Sequence, residues 1–443
     1  MTGNIMFVNR VKELNFLEDE YDSNRASFSV VYGRRRVGKT ALLSQFIKNK
    51  NHIYLYITQS DLNSQLTSFT LQIKQFVDES ISEHLSFKSF EDAIGFLATL
   101  KLEKRLVLVI DEYQYITTMD KSFSSKLQKL WDEKLQYSNI YLILCGSVLS
   151  MMQSEVLNYS APLYGRRTSQ FHIKSVKFKH IVEFLPNLSR LEQMQVFSSF
   201  GTIPKYLNEY DQSISFMQNV EKKILNKNSY LYSEGNFLLK NEISDSSTYF
   251  SILESISKGN TKIGSIASTL SVTSTHLTKY LKKLIDLDIV LKETPITETN
   301  PLKSKFGRYK IKDKFLNFWF YYIFKNYNYL EIEQTKAVLS EIDLNFNDRF
   351  VSFSFEEFVI EDIYENPKKY LDFTPLKVGR WWNNKEEIDI VAFNDENIAF
   401  IECKWQNSVK EESVKEKLIL KSENIKHTKK SSYLVITKQE YLK

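Results

Sequence analysis

The run Gly33-Arg-Arg-Arg-Val-Gly38-Lys39-Thr40 constrains this chain more than any other stretch of it. It fits G-x-x-x-x-G-K-[ST]. It follows a short apolar strand, Phe28–Tyr32, and it opens an apolar helix, Ala41–Ile47. Strand, glycine turn and helix in that order turn backbone N–H groups inward and set the positive end of a helix dipole beneath them, a cradle for phosphate. Gly33 and Gly38 shape the turn, Lys39 is expected to reach the β- and γ-phosphates, and Thr40 to ligate Mg²⁺. A Gly-rich surface turn would need neither flanking element. The motif therefore predicts a nucleoside triphosphate site.

Further apolar runs at 51–57, 105–110 and 139–146 alternate with helical stretches. Nearly continuous apolar strands between helices predict a parallel sheet buried on both faces. The run from Arg105 ends in Asp111-Glu112 at the carboxyl end of its strand, where ligands bind in open α/β sheets. Asp111 is expected to hold Mg²⁺ and Glu112 to polarise the attacking water as general base. The run from Asn139 ends in Gly146-Ser147, and Ser147 either reads the γ-phosphate or closes a strand-end turn. Arg166 and Arg167 follow Gly165; one of them supplies positive charge to the phosphates, or both lie on a solvated turn.

The length, 443 residues, suits about three domains. A 42% hydrophobic and 26% charged composition is that of a soluble globular protein. The net charge of +5 permits a nucleic-acid partner without requiring one. Cys145 and Cys403 sit inside apolar runs and read as reduced core residues, which argues against a structural zinc site. The first ten residues hold no apolar signal stretch. The most apolar window, Phe315–Phe324, falls short of the about 20 residues that span a bilayer and reads as a core helix. A cytoplasmic protein with no membrane partner is expected.

Apolar residues at helical spacing over 248–256, 263–270 and 275–285, then strands at 288–292 and 308–312, predict a winged helix. Its third helix carries Thr275, His276, Lys279, Lys282 and Lys283, which either meet DNA or form a solvated face. Beyond residue 347 the order is α-β-β-β-α-β. On the third of these strands Glu402 and Lys404 share a face while Cys403 points the other way, and Asp389 lies on the neighbouring strand. Two carboxylates can hold Mg²⁺, and the lysine can orient or deprotonate the attacking water. Trp381 and Trp382 either stack on bases or pack.

Phe7-Val-Asn-Arg10 with Glu13-Leu14 and Leu17, the two phosphate-site motifs, Cys145-Gly-Ser147, Pro162–Arg166 and Gly201-Thr-Ile-Pro204 together resemble the archaeal-type AAA+ ATPases, relatives of the STAND signalling NTPases. The resemblance implies ATP rather than GTP, with Phe7, Arg10 and Pro204 near adenine. No Asn-Lys-x-Asp guanine motif occurs. The C-terminal pattern, with Gly379-Arg-Trp-Trp382, resembles the restriction-endonuclease-like PD-(D/E)xK domain that some of these ATPases carry, and implies that Glu356 joins Asp389, Glu402 and Lys404.

The expected fold is α/β: a P-loop NTPase core at 1–170, a helical lid at 171–240, a winged helix with an aromatic connector helix at 241–340, and a restriction-endonuclease-like α/β domain at 341–443. The leading functional expectation is an ATP- and Mg²⁺-dependent nucleic-acid enzyme that binds DNA and cuts it. The alternative is a STAND-like ATP switch that binds DNA or protein without cutting. A third reading is an assembly protein whose ATP supports a homo-oligomer.

Overall fold

Apolar residues on both sides of each strand build a buried sheet in the first part of the chain. The strands are β1 (Ser27–Tyr32), β2 (His52–Tyr56), β3 (Leu106–Asp111), β4 (Ile140–Gly146) and β5 (Ser169–His172). They pair in the order β2-β3-β4-β1-β5, every neighbour parallel. This is a computed structural model, and it describes residues 8–23, 25–240, 242–243 and 247–443. The chain divides into two units, Met1–Val176 and Lys177–Lys443.

One face of the sheet, with Phe28, Val30, Leu108 and Leu142, packs against Phe69, Ile94 and Leu127 from helices. The other, with Val31, Val107, Val109 and Ile143, packs against Leu17, Leu42 and Phe46. Parallel pairing brings every carboxyl end to one edge, so the turn after β1 and the acidic pair after β3 share that edge. The fifth strand was not expected from sequence: Ser-Gln-Phe-His at β5 is no apolar run, and its residues are only half-buried or exposed.

In the second unit three helices, Ser247–Ser257, Ile263–Thr269 and Ser274–Asp286, precede the antiparallel pair β6 (Val290–Glu293) and β7 (Arg308–Ile311). The Thr273 side chain caps the third helix by accepting from His276 N, satisfying a donor the helix start leaves open. The aromatic window forms Lys314–Phe318 and a π-helical turn, Trp319–Phe324. Its Trp319, Phe320 and Tyr322 are buried. Among the described residues no helix is long and apolar enough to cross a membrane.

The helix Ser352–Glu365 leads to β8 (Lys377–Trp382), β9 (Glu387–Phe393), β10 (Asn397–Lys404), the helix Glu411–Ser422 and β11 (Lys430–Thr437). Their sheet order is β11-β10-β9-β8, with β10 and β11 parallel and the other pairs antiparallel. A register shift between Gly379 and Trp381 lets both tryptophans turn inward. Trp381 and Trp382 are 6% and 2% exposed, and Trp382 Nε1 donates to Phe306 O at 2.9 Å. Neither is free to stack on a base. Both cysteines are buried free thiols.

Candidate functional sites

The glycine turn leaves β1 where only glycine fits: a Cβ on Gly33 would lie 2.2 Å from Ile173 O. Gly38 sits at φ +95°, the left-handed region glycine tolerates without cost, immediately before the helix Lys39–Ile47. Lys39 is 6% exposed and folds back over the turn, its Nζ donating to Gly33 O at 2.8 Å and Arg34 O at 3.0 Å. Arg10 braces the turn from outside. Its Nη2 donates to Val37 O at 2.9 Å and Lys174 O at 2.5 Å, and its Nη1 pairs with Glu13 at 3.1 Å. Phe7 lies outside the described residues, and Pro204 starts a short helix in the second unit.

Asp111 ends β3, 1% exposed. Its Oδ2 accepts from Thr40 Oγ1 at 3.0 Å and from Tyr54 OH at 2.5 Å. Burial and the Asp111 carboxylate push the Tyr54 phenol far up, so Tyr54 remains a proton donor. Glu112 takes φ +57°, and its Oε2 accepts from Ser147 Oγ at 2.6 Å and from Gln114 Nε2. Ser147 thus touches the glutamate. Arg166 forks onto Asp132, with Nε and Nη2 at 3.2 and 3.0 Å, and Arg167 Nη1 donates to Val156 O at 2.7 Å. Tyr54 and Gln114 were missed in the sequence. The alternation of β2 sets Tyr54 opposite Ile53 and Leu55, but only the β2–β3 pairing reveals that it meets Asp111.

In the second unit the antiparallel register Ile390↔Ile401 brings Asp389 beside Glu402 and Lys404. Lys404 Nζ lies 2.7 Å from Glu402 Oε2 and 3.8 Å from Asp389 Oδ2, and Asp389 Oδ2 also accepts from Cys403 N at 2.9 Å. Lys421, on the helix Glu411–Ser422, donates to Glu402 Oε1 at 2.6 Å, a partner sequence reasoning missed. Burial, then the charges of Glu356 and Glu402, push Asp389 up to about 8. Burial works the same way on Glu402, but hydrogen bonds from Lys404 and Lys421 hold it below the usual carboxylate range. Glu356 is buried, with its Oε2 accepting from Arg380 Nε at 2.9 Å. Its neighbour Glu357 pairs instead with Lys310 at 3.0 Å and Lys314 at 2.7 Å. Among the described residues no three His, Cys, Asp or Glu side chains gather closely enough to hold a metal ion.

The parallel sheet, the glycine turn with its lysine, and the acidic pair one strand beyond β4 define a P-loop ATPase. Residues 7–210 match the family described as an ATPase domain predominantly from Archaea. Residues 319–417 match one described as archaea bacterial proteins of unknown function. An uncharacterized protein of Methanocaldococcus jannaschii is 36% identical over 413 residues, 93% of this chain and 90% of that one. An uncharacterized ATP-binding protein of Pyrococcus abyssi is 28% identical over 244 residues, 46% of this chain and 71% of its own. A Walker-type ATPase of Pyrococcus abyssi shares the fold, with a TM-score of 0.52 at 18% identity over 71% of this chain and 96% of that one. The chain belongs to the family of the Methanocaldococcus jannaschii protein, and its first part is an ATPase domain of the kind found predominantly in Archaea. It binds and hydrolyses ATP.

Proposed function

We propose that this ATPase is a nucleic-acid enzyme: Asp389, Glu402 and Lys404 form a phosphodiester-cleaving site, and ATP in the first unit controls it. The observation that carries this reading is the convergence of two carboxylates from β9 and β10 on one lysine, Lys404 Nζ lying 2.7 Å from Glu402 and 3.8 Å from Asp389. The α-β-β-β-α-β order around them supports a restriction-endonuclease-like domain.

The donor chemistry suits Mg²⁺ at both sites. Thr40 and Asp111, 3.0 Å apart, offer hard oxygens for the cation of bound ATP, and Asp389 and Glu402 offer two more for a second. There the ion would supply Lewis acidity at the scissile phosphate. Lys404 would orient the attacking water, and Lys421 would hold Glu402 in place. In the ATP site Glu112 would act as general base once Ser147 and Gln114 release it. To reach the γ-phosphate, in cis or from a neighbouring copy, Arg166 would first have to leave Asp132, or Arg167 the carbonyl of Val156.

The three helices with β6 and β7 have the layout of a winged helix. Thr275, His276, Lys279 and Lys282 are exposed on its third helix and Lys283 is half-buried, a face suited to DNA phosphates. The β6–β7 wing is fastened to β8 and β9 by Arg380–Glu293 at 3.4 Å and Arg308–Glu387 at 2.7 Å. DNA contact is therefore assigned to the helix.

One observation favours a second reading, an ATP switch that binds DNA without cutting it. Both Glu402 oxygens already carry ammonium partners, and among the described residues no three-ligand cluster stands ready. Supercoiled plasmid with Mg²⁺ and ATP separates the two. Nicking by the native protein that disappears in Lys404→Ala and Asp389→Asn supports cleavage. Intact plasmid alongside normal ATP turnover leaves the switch.

A further inference from the structure

A cavity of about 360 Å³ opens within the second unit between the β6–β7 hairpin and the helix Ser352–Glu365. That volume falls in the range of small-molecule sites, about 300–1,000 Å³. Its charge is unbalanced. Arg308, Lys310, Lys314, Arg349 and Arg380 line it against Glu293, Glu357 and Glu387, and Glu356 behind the lining pairs with Arg380 at 2.9 Å, which still leaves one cation without a carboxylate. Most of these cations are paired: Lys310 with Glu293 at 2.5 Å, Lys314 with Glu357 at 2.7 Å, Arg308 with Glu387 at 2.7 Å.

Arg349 is the exception. No carboxylate lies within ion-pair distance of it among the described residues. Its Nη2 donates to Ser257 O at 3.0 Å, and its guanidinium lies over the Tyr321 ring at 4.2 Å. Its Nε is buried without a hydrogen-bond acceptor, an arrangement that is unfavourable unless something accepts from it. A net positive, half-buried lining and an unmet guanidinium donor call for an anion with several acceptor oxygens, and arginine matches phosphate geometry in particular. The aromatic rings of Tyr309, Phe350 and Phe353 also line the cavity, the surface a base would stack on.

We infer that this cavity is a second nucleotide site, separate from the ATP loop, which takes the terminal phosphate of a nucleotide through Arg349 and Arg308. The phosphate monoester is the shared chemistry of two sources, a free mononucleotide and the 5′-phosphate end of a polynucleotide. The site stands independently of whether Asp389, Glu402 and Lys404 cut.

The test uses full-length Lys39→Ala protein, so that binding at the ATP loop does not contribute. Calorimetric titration compares AMP, inorganic phosphate, adenosine and a short oligonucleotide with and without a 5′-phosphate. AMP binding with adenosine silent establishes a free nucleotide as the source. Binding of the 5′-phosphorylated oligonucleotide alone establishes the chain end. In either case Arg349→Gln weakens the interaction about tenfold or more, as loss of a charge-assisted bond requires. Asn317→Asp, which adds a carboxylate to the cavity wall and leaves Arg349 in place, weakens it as well. No binding by any phosphate probe overturns the inference. So does binding that adenosine matches, or binding undiminished in Asn317→Asp with the fold intact by circular dichroism.

Discussion

Asp111 and Glu112 are adjacent in the chain but held by different partners, and that difference sets what each substitution should do. Asp111 is gripped by Thr40 and Tyr54, which fixes a carboxylate where the cation of ATP is expected. Tyr54→Phe removes one charge-assisted bond at a buried acceptor, worth about 1.5–3 kcal/mol. Steady-state ATPase assays should show kcat lowered about tenfold, with nucleotide affinity in the absence of Mg²⁺ unchanged. An unaltered kcat would mean that Thr40 and the Glu112 N–H, 2.9 Å from Asp111 Oδ1, suffice to position Asp111. Glu112→Gln should retain ATP binding and lower turnover by about 100-fold or more, the typical worth of general-base catalysis. A variant that still turns over near the native rate would remove Glu112 from that role.

At the scale of elements, two buried groups show how helices are locked to their neighbours. Arg105, 8% exposed, donates from Nη1 to Glu20 O, Tyr21 O and Ser23 O at 3.0, 2.6 and 2.7 Å, and from Nη2 to Arg25 O at 2.7 Å. A single side chain thereby satisfies the carbonyls that the helix Val11–Asp22 leaves open at its end. Arg105→Met removes this shared donor, although Glu20 O keeps Ser23 Oγ and Ser27 Oγ, and should cost about 3 kcal/mol in urea unfolding; a loss below about 0.5 kcal/mol would place it among ordinary surface substitutions. In the second unit Gly235 lies against Trp319, and a Cβ there would come within 2.4 Å of the indole. The ring is fully buried and tied by Nε1 to Tyr232 O at 2.8 Å, so it cannot step aside. Gly235→Ala should destabilise by about 1–3 kcal/mol through overpacking, with a changed tryptophan emission. Equal stability and emission would show that the helix Tyr230–Lys240 can shift. Neither device was legible in the sequence, where Arg105 only begins an apolar run and the neighbours of both residues lie far along the chain. Ser27 and Ser29 on β1 are fully buried polar residues, Ser29 bonded to Tyr141 OH at 2.6 Å and Ser169 Oγ at 2.5 Å, partners that only the strand pairing supplies.

Over the whole molecule, what the sequence disclosed was what is local or periodic. The glycine turn, four apolar strands and the shared face of Glu402 and Lys404 follow from spacing along the chain. What it hid depends on which distant residue a fold brings close: β5 beside β1, Tyr54 on Asp111, Lys421 on Glu402, and the cluster that joins the β6–β7 hairpin to the last sheet. That cluster carries a pH signature. Burial alone would raise the Glu357 pKa, but Lys310, Lys314 and Arg380 hold it far below the usual carboxylate range. Glu293 and Glu356 share the same cations. With the folded pKa depressed, the folded state binds fewer protons than the unfolded one, so the contribution is complete above the unfolded value of about 4.3 and is lost progressively as pH falls from there through the lower folded value. Removing one partner of a buried pair costs about 3–5 kcal/mol; the Glu357 side chain keeps 29% exposure, which reduces the expectation to about 2 kcal/mol. Urea midpoints across pH should therefore show Glu357→Gln less stable than the native chain at pH 7 by about that amount, with the two curves starting to converge below about pH 5 and closing further as the pH is lowered. Parallel curves over that interval would mean that the hairpin is held by packing, such as Ile296 against the Trp381 cluster, and that its ion pairs contribute nothing net.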